Sequence, residues 1–215
     1  MSSINPSSND LDTDASTIFE VDINGKKYAT KVYHDNGDPG YSKKGRDLNR
    51  FRCEVNAYKN LSAAGVCERG FVPRFYGVIK CIDPALFKPA LNHFICDKFH
   101  SSAILLEYLP NAESLNCVDF DDALYPQAME GMKEIQKAGV IHKDVYPKNI
   151  LLVRDETESK SNRMVWIDFD VSTTFTELGE KNLRFCNHKI QLVEQFGEAL
   201  KEEQEEGLPP NTKYY

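Results

Sequence analysis

Apolar positions along this chain repeat with two different periods, and the changes between them divide the sequence into elements. Residues 18–33, IFEVDINGKKYATKVY, hold two runs rich in β-branched and aromatic residues around Asn24-Gly25. That dipeptide suits a two-residue type I′ turn, so a hairpin is predicted. Leu48, Phe51, Val55 and Tyr58 then recur at spacings of three and four, which predicts an amphipathic helix from Asp47 to Ala63. FYGVIKC and SAILLEYL read as two further strands, and about twenty residues with two prolines, Ile82 to Ser101, separate them. That is long for a hairpin loop and marks a functional or family-specific insertion. Leu124, Ala128, Met132 and Ile135 predict a helix from Asp121 that ends at Gly139 as a C-cap. MVWIDFDV is a short apolar strand after the charged turn RDETESKSNR. Ile190, Val193, Phe196 and Leu200 line one face of a last helix that trails into KEEQEE. Residues 1–16 are small and polar without periodicity and read as a disordered tail. Strands and one helix come first, then mostly helices around a strand pair. The fold class is α+β in two lobes.

Composition narrows the setting. Hydrophobic residues make up 41% of the 215, enough for a buried core. No apolar run reaches membrane-spanning length, and the N-terminus lacks the apolar core of a secretory signal. Six scattered cysteines without a CxxC pair argue against a disulfide framework and a zinc site. These features predict a soluble cytoplasmic protein with reduced, mostly buried thiols. A net charge of −7 argues against nucleic acid as the main partner.

Val140 to Val153, VIHKDVYPKNILLV, breaks the pattern, because His142, Lys143, Asp144, Lys148 and Asn149 stand between apolar brackets. Asp144 and Asn149 lie in a loop entering a short strand, and Asp168 follows across the predicted hairpin. Asn149 and Asp168 offer hard oxygen ligands of the kind Mg²⁺ prefers. Asp144 is left to orient a hydroxyl nucleophile or to accept its proton. Lys31 sits mid-strand in YATKVY, where a solvated lysine has little reason to interrupt an apolar run. Glu54, on the flank of the first helix's apolar stripe, is in reach to pair with it and hold its ammonium toward phosphate oxygens. His142 reads as a packed brace of the loop, not a base.

These residues resemble the protein-kinase-like superfamily, in order, over residues 18–172. HKDVYPKN resembles its catalytic loop, IDFD its metal-binding Asp-Phe-Gly element, ATK its strand-three lysine and FRCEVNAY its C-helix glutamate. LLEYL resembles the hinge, which implies adenine contacts from the backbone near Glu107 and Leu109. The resemblance implies ATP and Mg²⁺ as cofactors. It also implies an N-terminal lobe over 17–110 and a truncated C-terminal lobe over 111–215.

The departures matter as well. No GxGxxG precedes Lys31, so the phosphate-covering loop is expected to be abbreviated or absent. Asp170 replaces the glycine of Asp-Phe-Gly, and Tyr146-Pro147 follow Asp144. Both features resemble aminoglycoside, choline and related small-molecule phosphotransferases. The basic residue that serine/threonine kinases carry two after the Asp is missing, with Lys148 a substitute. Only 47 residues follow Asp168, too few for a peptide-binding helical platform. The expected acceptor is therefore a hydroxyl on a small molecule. Two alternatives stay open: a degenerate kinase fold kept as a binding module, and a minimal atypical kinase working in a complex, docked through the 82–101 insertion.

Overall fold

The computed structural model describes residues 4–6, 15–154, 162–177 and 179–210. Its first half holds β1 (Ile4–Pro6), β2 (Ser16–Ile23), β3 (Lys26–Tyr33), α1 (Arg50–Ala63), β4 (Phe75–Ile82) and β5 (Ser101–Glu107). The five strands form one antiparallel sheet in the order β1-β2-β3-β5-β4. The β2–β3 turn is the one read from Asn24-Gly25: Ile23 pairs with Lys26, and both turn residues have positive φ, 55° and 79°.

Strand alternation sends neighbouring residues to opposite faces of the sheet. Tyr33 and Ile104 pack with Val55, Tyr58 and Leu61 of α1, whereas Val32 and Ala103 pack on the other face with Phe19 and Val21. Lys31 shares the α1 face with Tyr33, which is why a lysine can stand inside an apolar strand.

The second half holds β6 (Ala112–Ser114), α2 (Tyr125–Lys137), β7 (Val140–Ile141), β8 (Ile150–Val153), β9 (Arg163–Trp166), β10 (Thr173–Thr174) and α3 (Glu180–Glu205). β6, β8 and β9 form a three-stranded antiparallel sheet, and β7 pairs with β10. Ala128, Met132 and Ile135 of α2 are buried with Val193 and Leu200 of α3. Gly197 lets the Tyr125 ring lie directly on the α3 backbone, where a Cβ would collide with it.

Several boundaries differ from the sequence reading. Residues 1–16 are not all outside the fold, because Ile4–Pro6 pair with β2 (Ile4 opposite Val21) and Ser16 begins β2. An edge strand recruits its neighbour through backbone groups, which leave no mark in apolar periodicity. Residues 1–3 and 7–14 of that tail, and with them most of the β1–β2 connection where a phosphate-covering loop would lie, fall outside the described residues. So does most of the charged turn RDETESKSNR. α1 starts at Arg50 because Asn49 caps it, accepting from the Arg52 amide, and Asp47 is instead engaged by Arg52 and the Asn49 amide. α2 starts at Tyr125 because Asp121 accepts from the Ala123 and Leu124 amides in the turn before it.

The 82–101 insertion is packed down at its centre. Leu91 and Phe94 are buried with Phe19 and Val21, and Asp97 ties the segment to His34 and the Asp35 amide. Leu86, Ile95 and Phe99 stay exposed.

Candidate active site

The site begins at Lys31. Its Nζ lies 2.8 Å from Glu54 Oε2, 2.7 Å from Asp168 Oδ1 and 3.8 Å from Asp170 Oδ2. Glu54, four residues into α1 and 1% exposed, also accepts the Tyr33 hydroxyl and, through Oε1 at 3.3 Å, the Phe169 amide. One carboxylate thus ties β3, α1 and the segment after β9 together. Satisfied on all sides, it is a fixed reference point for the lysine.

Residues 142–149 run between β7 and β8. Asn149 Nδ2 donates to the Asp144 carbonyl at 2.8 Å and to Asp144 Oδ2 at 3.0 Å, which leaves the Asn149 amide oxygen free of that pair. The Asn149 carbonyl accepts from the Ile167 amide at 3.0 Å, so the loop and the Asp168 segment are held side by side. Asp168 itself has φ of 64°, a left-handed conformation that costs a non-glycine residue of order 1 kcal/mol or more. The chain keeps it, and the carboxylate turns toward Lys31.

A cavity of about 430 Å³ opens between the two halves. Lys31, Glu54, Glu107, Leu109, Asn149 and Asp168 all line it, with Lys148 at one side. Its walls are largely apolar, from Ile18, Ala29, Leu106 and Leu151, and the ion-paired Lys31, Glu54 and Asp168 are clustered together in it. That combination suits a flat apolar ring and a polyanionic tail. Asp144 adjoins the cavity through Asn149.

A family model described as the lipopolysaccharide kinase (Kdo/WaaP) family matches residues 96–195, a little under half of the chain. The matched stretch contains β5, the 142–149 loop, the Asp168 segment and the start of α3, in the order the site requires. That family belongs to the protein-kinase-like superfamily, and the match fits an atypical kinase-like member. No curated protein matches it.

Within this kinase-like frame, Lys31 and Glu54 lie before the matched residues, so their place rests on the geometry of the ion pair. The structure brings all the residues singled out in the sequence to one cavity or its margin. Lys148 is the loosest of them, 49% exposed and 4.0 Å from Asp144 Oδ2. Glu107 is tightly held: its carboxylate accepts from Arg163 at 2.7 Å and from the Arg74 amide at 3.1 Å. Its own amide donates to the Arg74 carbonyl at 2.8 Å and is therefore committed within the protein. His142 is a brace, as expected. It is buried against Trp166 and Phe169, and its Nε2–H donates to the Ile167 carbonyl at 2.9 Å. Burial lowers its pKa and keeps it neutral.

Charge in the site follows from burial against pairing. Burial alone would lower the Lys31 pKa, but Glu54, Asp168 and Asp170 outweigh it and hold the ammonium above the usual lysine range. Burial would raise Asp168, and Lys31 outweighs that, so its carboxyl lies below the usual range. Glu54 is pushed up by burial despite Lys31. Among the described residues, no group of three or more His, Cys, Asp or Glu side chains is placed to hold a metal ion. A two-oxygen pair of Asn149 and Asp168 is the kind of partial ligand set that Mg²⁺ completes with waters and phosphate oxygens.

Sequence reasoning missed three participants. Tyr33 supports Glu54 from the next position but one on β3. Arg50 donates to Asp170 Oδ2 at 2.9 Å, and Asp170 is buried. Tyr58, one turn after Glu54, lines the cavity, with a buried hydroxyl that has no hydrogen-bond partner among the described residues. The one signal available was the spacing of Arg50, Glu54 and Tyr58 at four-residue intervals on a helix, which places them on one face. Among the described residues no helix is long and apolar enough to cross a membrane.

Proposed function

We propose that this chain is a Mg²⁺-ATP-dependent phosphotransferase that moves a γ-phosphoryl group to a hydroxyl on a small molecule. The observation that carries the reading is the Lys31 ammonium, held between Glu54 and Asp168 in a cavity that Asn149 also lines. In this reading residues 17–110 and 111–215 are the two lobes, and the nucleotide lies between them. The apolar walls take the adenine, with the Glu107 carbonyl and the Leu109 amide as its polar contacts. Lys31 holds the α- and β-phosphates, clamped by Glu54. Asn149 and Asp168 would hold Mg²⁺, which neutralises phosphate charge when bound.

Asp144 orients the acceptor hydroxyl. As the acceptor oxygen bonds to the γ-phosphorus, the bond from phosphorus to the β–γ bridging oxygen breaks and ADP leaves. The hydroxyl proton passes to the Asp144 carboxylate. Positioning and charge supply the rate. The matching family is described as acting on lipopolysaccharide, which favours a sugar hydroxyl as the acceptor. The intact set of Lys31, Glu54, Asp144, Asn149 and Asp168 speaks against a binding module that has lost catalysis. The exposed Leu86, Ile95 and Phe99 of the insertion favour a second reading, in which the enzyme works inside a complex.

The test is the melting temperature with and without Mg²⁺-ATP, for wild type and Asp168→Asn. Nucleotide at a hundredfold excess over Kd stabilises by about 2.7 kcal/mol, and the effect should need Mg²⁺ and vanish in the variant. No shift at millimolar nucleotide would sink the enzyme reading.

A further inference from the structure

Although the whole chain is acidic, cations gather beside Asp144. Lys143 and Lys148 come from the loop, Arg50 from α1 and Lys189 from α3. They are not equivalent. Arg50 is spent on Asp170. Lys148 is 49% exposed, with its ammonium 5.7 Å from the centre of the Tyr146 ring, and water screens such a charge.

Lys189 differs from both. It lies 45 residues after Asp144 in sequence, yet its Nζ donates to the carbonyl of Lys143, the residue just before Asp144, at 3.1 Å. The side chain is half-buried. One of its three N–H donors is used there, and no carboxylate pairs with it among the described residues. The ammonium also lies 5.3 Å from the centre of the Phe185 ring, and a half-buried cation with N–H donors to spare can receive an incoming phosphoryl oxygen. Tyr146 stands two residues after Asp144, where serine/threonine kinases carry a basic residue; of the loop's own lysines, Lys148 is 49% exposed and Lys143, half-buried like Lys189, lends its carbonyl to the Lys189 ammonium.

We propose that Lys189 is that cation: α3 delivers its ammonium to the phosphoryl group in flight beside Asp144, making Lys189 a catalytic residue of the transfer. The proposal rests on the phosphotransferase reading. Burial, the largest influence on this ammonium, lowers its pKa, and the Asp144 charge opposes that, which puts ammonium and carboxylate within electrostatic reach of each other.

Lys189 also pins α3 to the loop, and the test must separate charge from pinning. Lys189→Gln keeps a donor for the Lys143 carbonyl and drops the charge; Lys189→Arg keeps both. The readouts are single-turnover hydrolysis of Mg²⁺-ATP by the full chain, with water as acceptor, and nucleotide affinity from the titrated melting shift. Lys189→Gln should melt cooperatively and bind Mg²⁺-ATP like wild type, with hydrolysis slowed at least about tenfold. Lys189→Arg should recover most of that loss. Wild-type hydrolysis in Lys189→Gln, or equal loss in Lys189→Arg, overturns the proposal. Failure of Lys189→Gln to fold, with Lys189→Arg intact but as slow per folded molecule as an Asp144→Asn control, overturns it too. Those outcomes leave the nucleotide reading standing. Wild type that neither binds nor hydrolyses Mg²⁺-ATP sinks both.

Discussion

Arg50 Nη1 and Asp170 Oδ2 lie 2.9 Å apart across 120 residues of sequence. They join the first turn of α1 to the position where the kinase-like Asp-Phe-Gly element has its glycine. Asp170 is buried while Arg50 is 46% exposed. Truncating the two should therefore have unequal effects. Arg50→Met strands a buried carboxylate, with Lys31 3.8 Å away as its remaining partner, and should destabilise by about 3 kcal/mol. Asp170→Asn frees an arginine that reaches water, at about 1 kcal/mol. Urea unfolding of the two variants measures the difference. Equal losses would mean that Asp170 is not dependent on Arg50.

Glu54→Gln tests the clamp on Lys31. The amide oxygen can still accept from Tyr33 or the Phe169 amide, but the ammonium loses its buried counter-charge. The variant should fold and turn over Mg²⁺-ATP at least about tenfold more slowly. Turnover at the wild-type rate would show that Asp168 alone suffices to place the lysine.

Asp144→Asn separates binding from transfer. The Asn149 side chain keeps an oxygen to donate to, so the loop should hold its shape. Nucleotide-dependent melting should match wild type, while transfer falls by about 10²–10⁴. A lost melting shift would contradict the role given to Asp144.

The acid response has a definite sign. Asp168 is held below its unfolded pKa of about 3.9, so it contributes stability above that value and loses it as pH falls through the lower folded one. Glu54, pushed up, works in the opposite direction. The stability gap between wild type and Asp168→Asn should therefore be constant near neutrality and narrow below about pH 4. Lys31, raised, contributes below its unfolded pKa of about 10.4 and loses that contribution only as pH climbs past the folded value. Melting curves from pH 2 to 8, as about the range needed, follow the acid limb. A gap that widens on acidification would reverse the assignment.

Gly139 closes α2 and precedes the strand that leads into the 142–149 loop. Its φ is 74°, and a Cβ there would collide with the Phe175 carbonyl, which lies close because Phe175 donates its amide to the Gly139 carbonyl at 2.8 Å. Gly139→Ala should destabilise by about 2–4 kcal/mol, left-handed strain plus overpacking. The control Gly179→Ala, with φ of −68° and open space around it, should be nearly neutral.

The sequence by itself determined most of the elements and singled out most of the candidate site. Apolar period marked β2 through β5 and both long helices of the second half, because burying one face demands that spacing. Lys31, Asp144, Asn149 and Asp168 stood out because each interrupts a pattern that apolar residues would otherwise complete. Glu54 was legible from its helix face. The tertiary structure alone decided which groups share a charge. That Asp170 takes Arg50, that Tyr33 and the Phe169 amide fix Glu54, and that Lys189 reaches the Lys143 carbonyl are contacts across 21 to 120 residues. No local spacing encodes such contacts, because they depend on how the sheet, α1 and α3 pack. Pairing at the Ile4–Pro6 edge was hidden for a related reason: backbone hydrogen bonds form it, and they are the same for every sequence but proline.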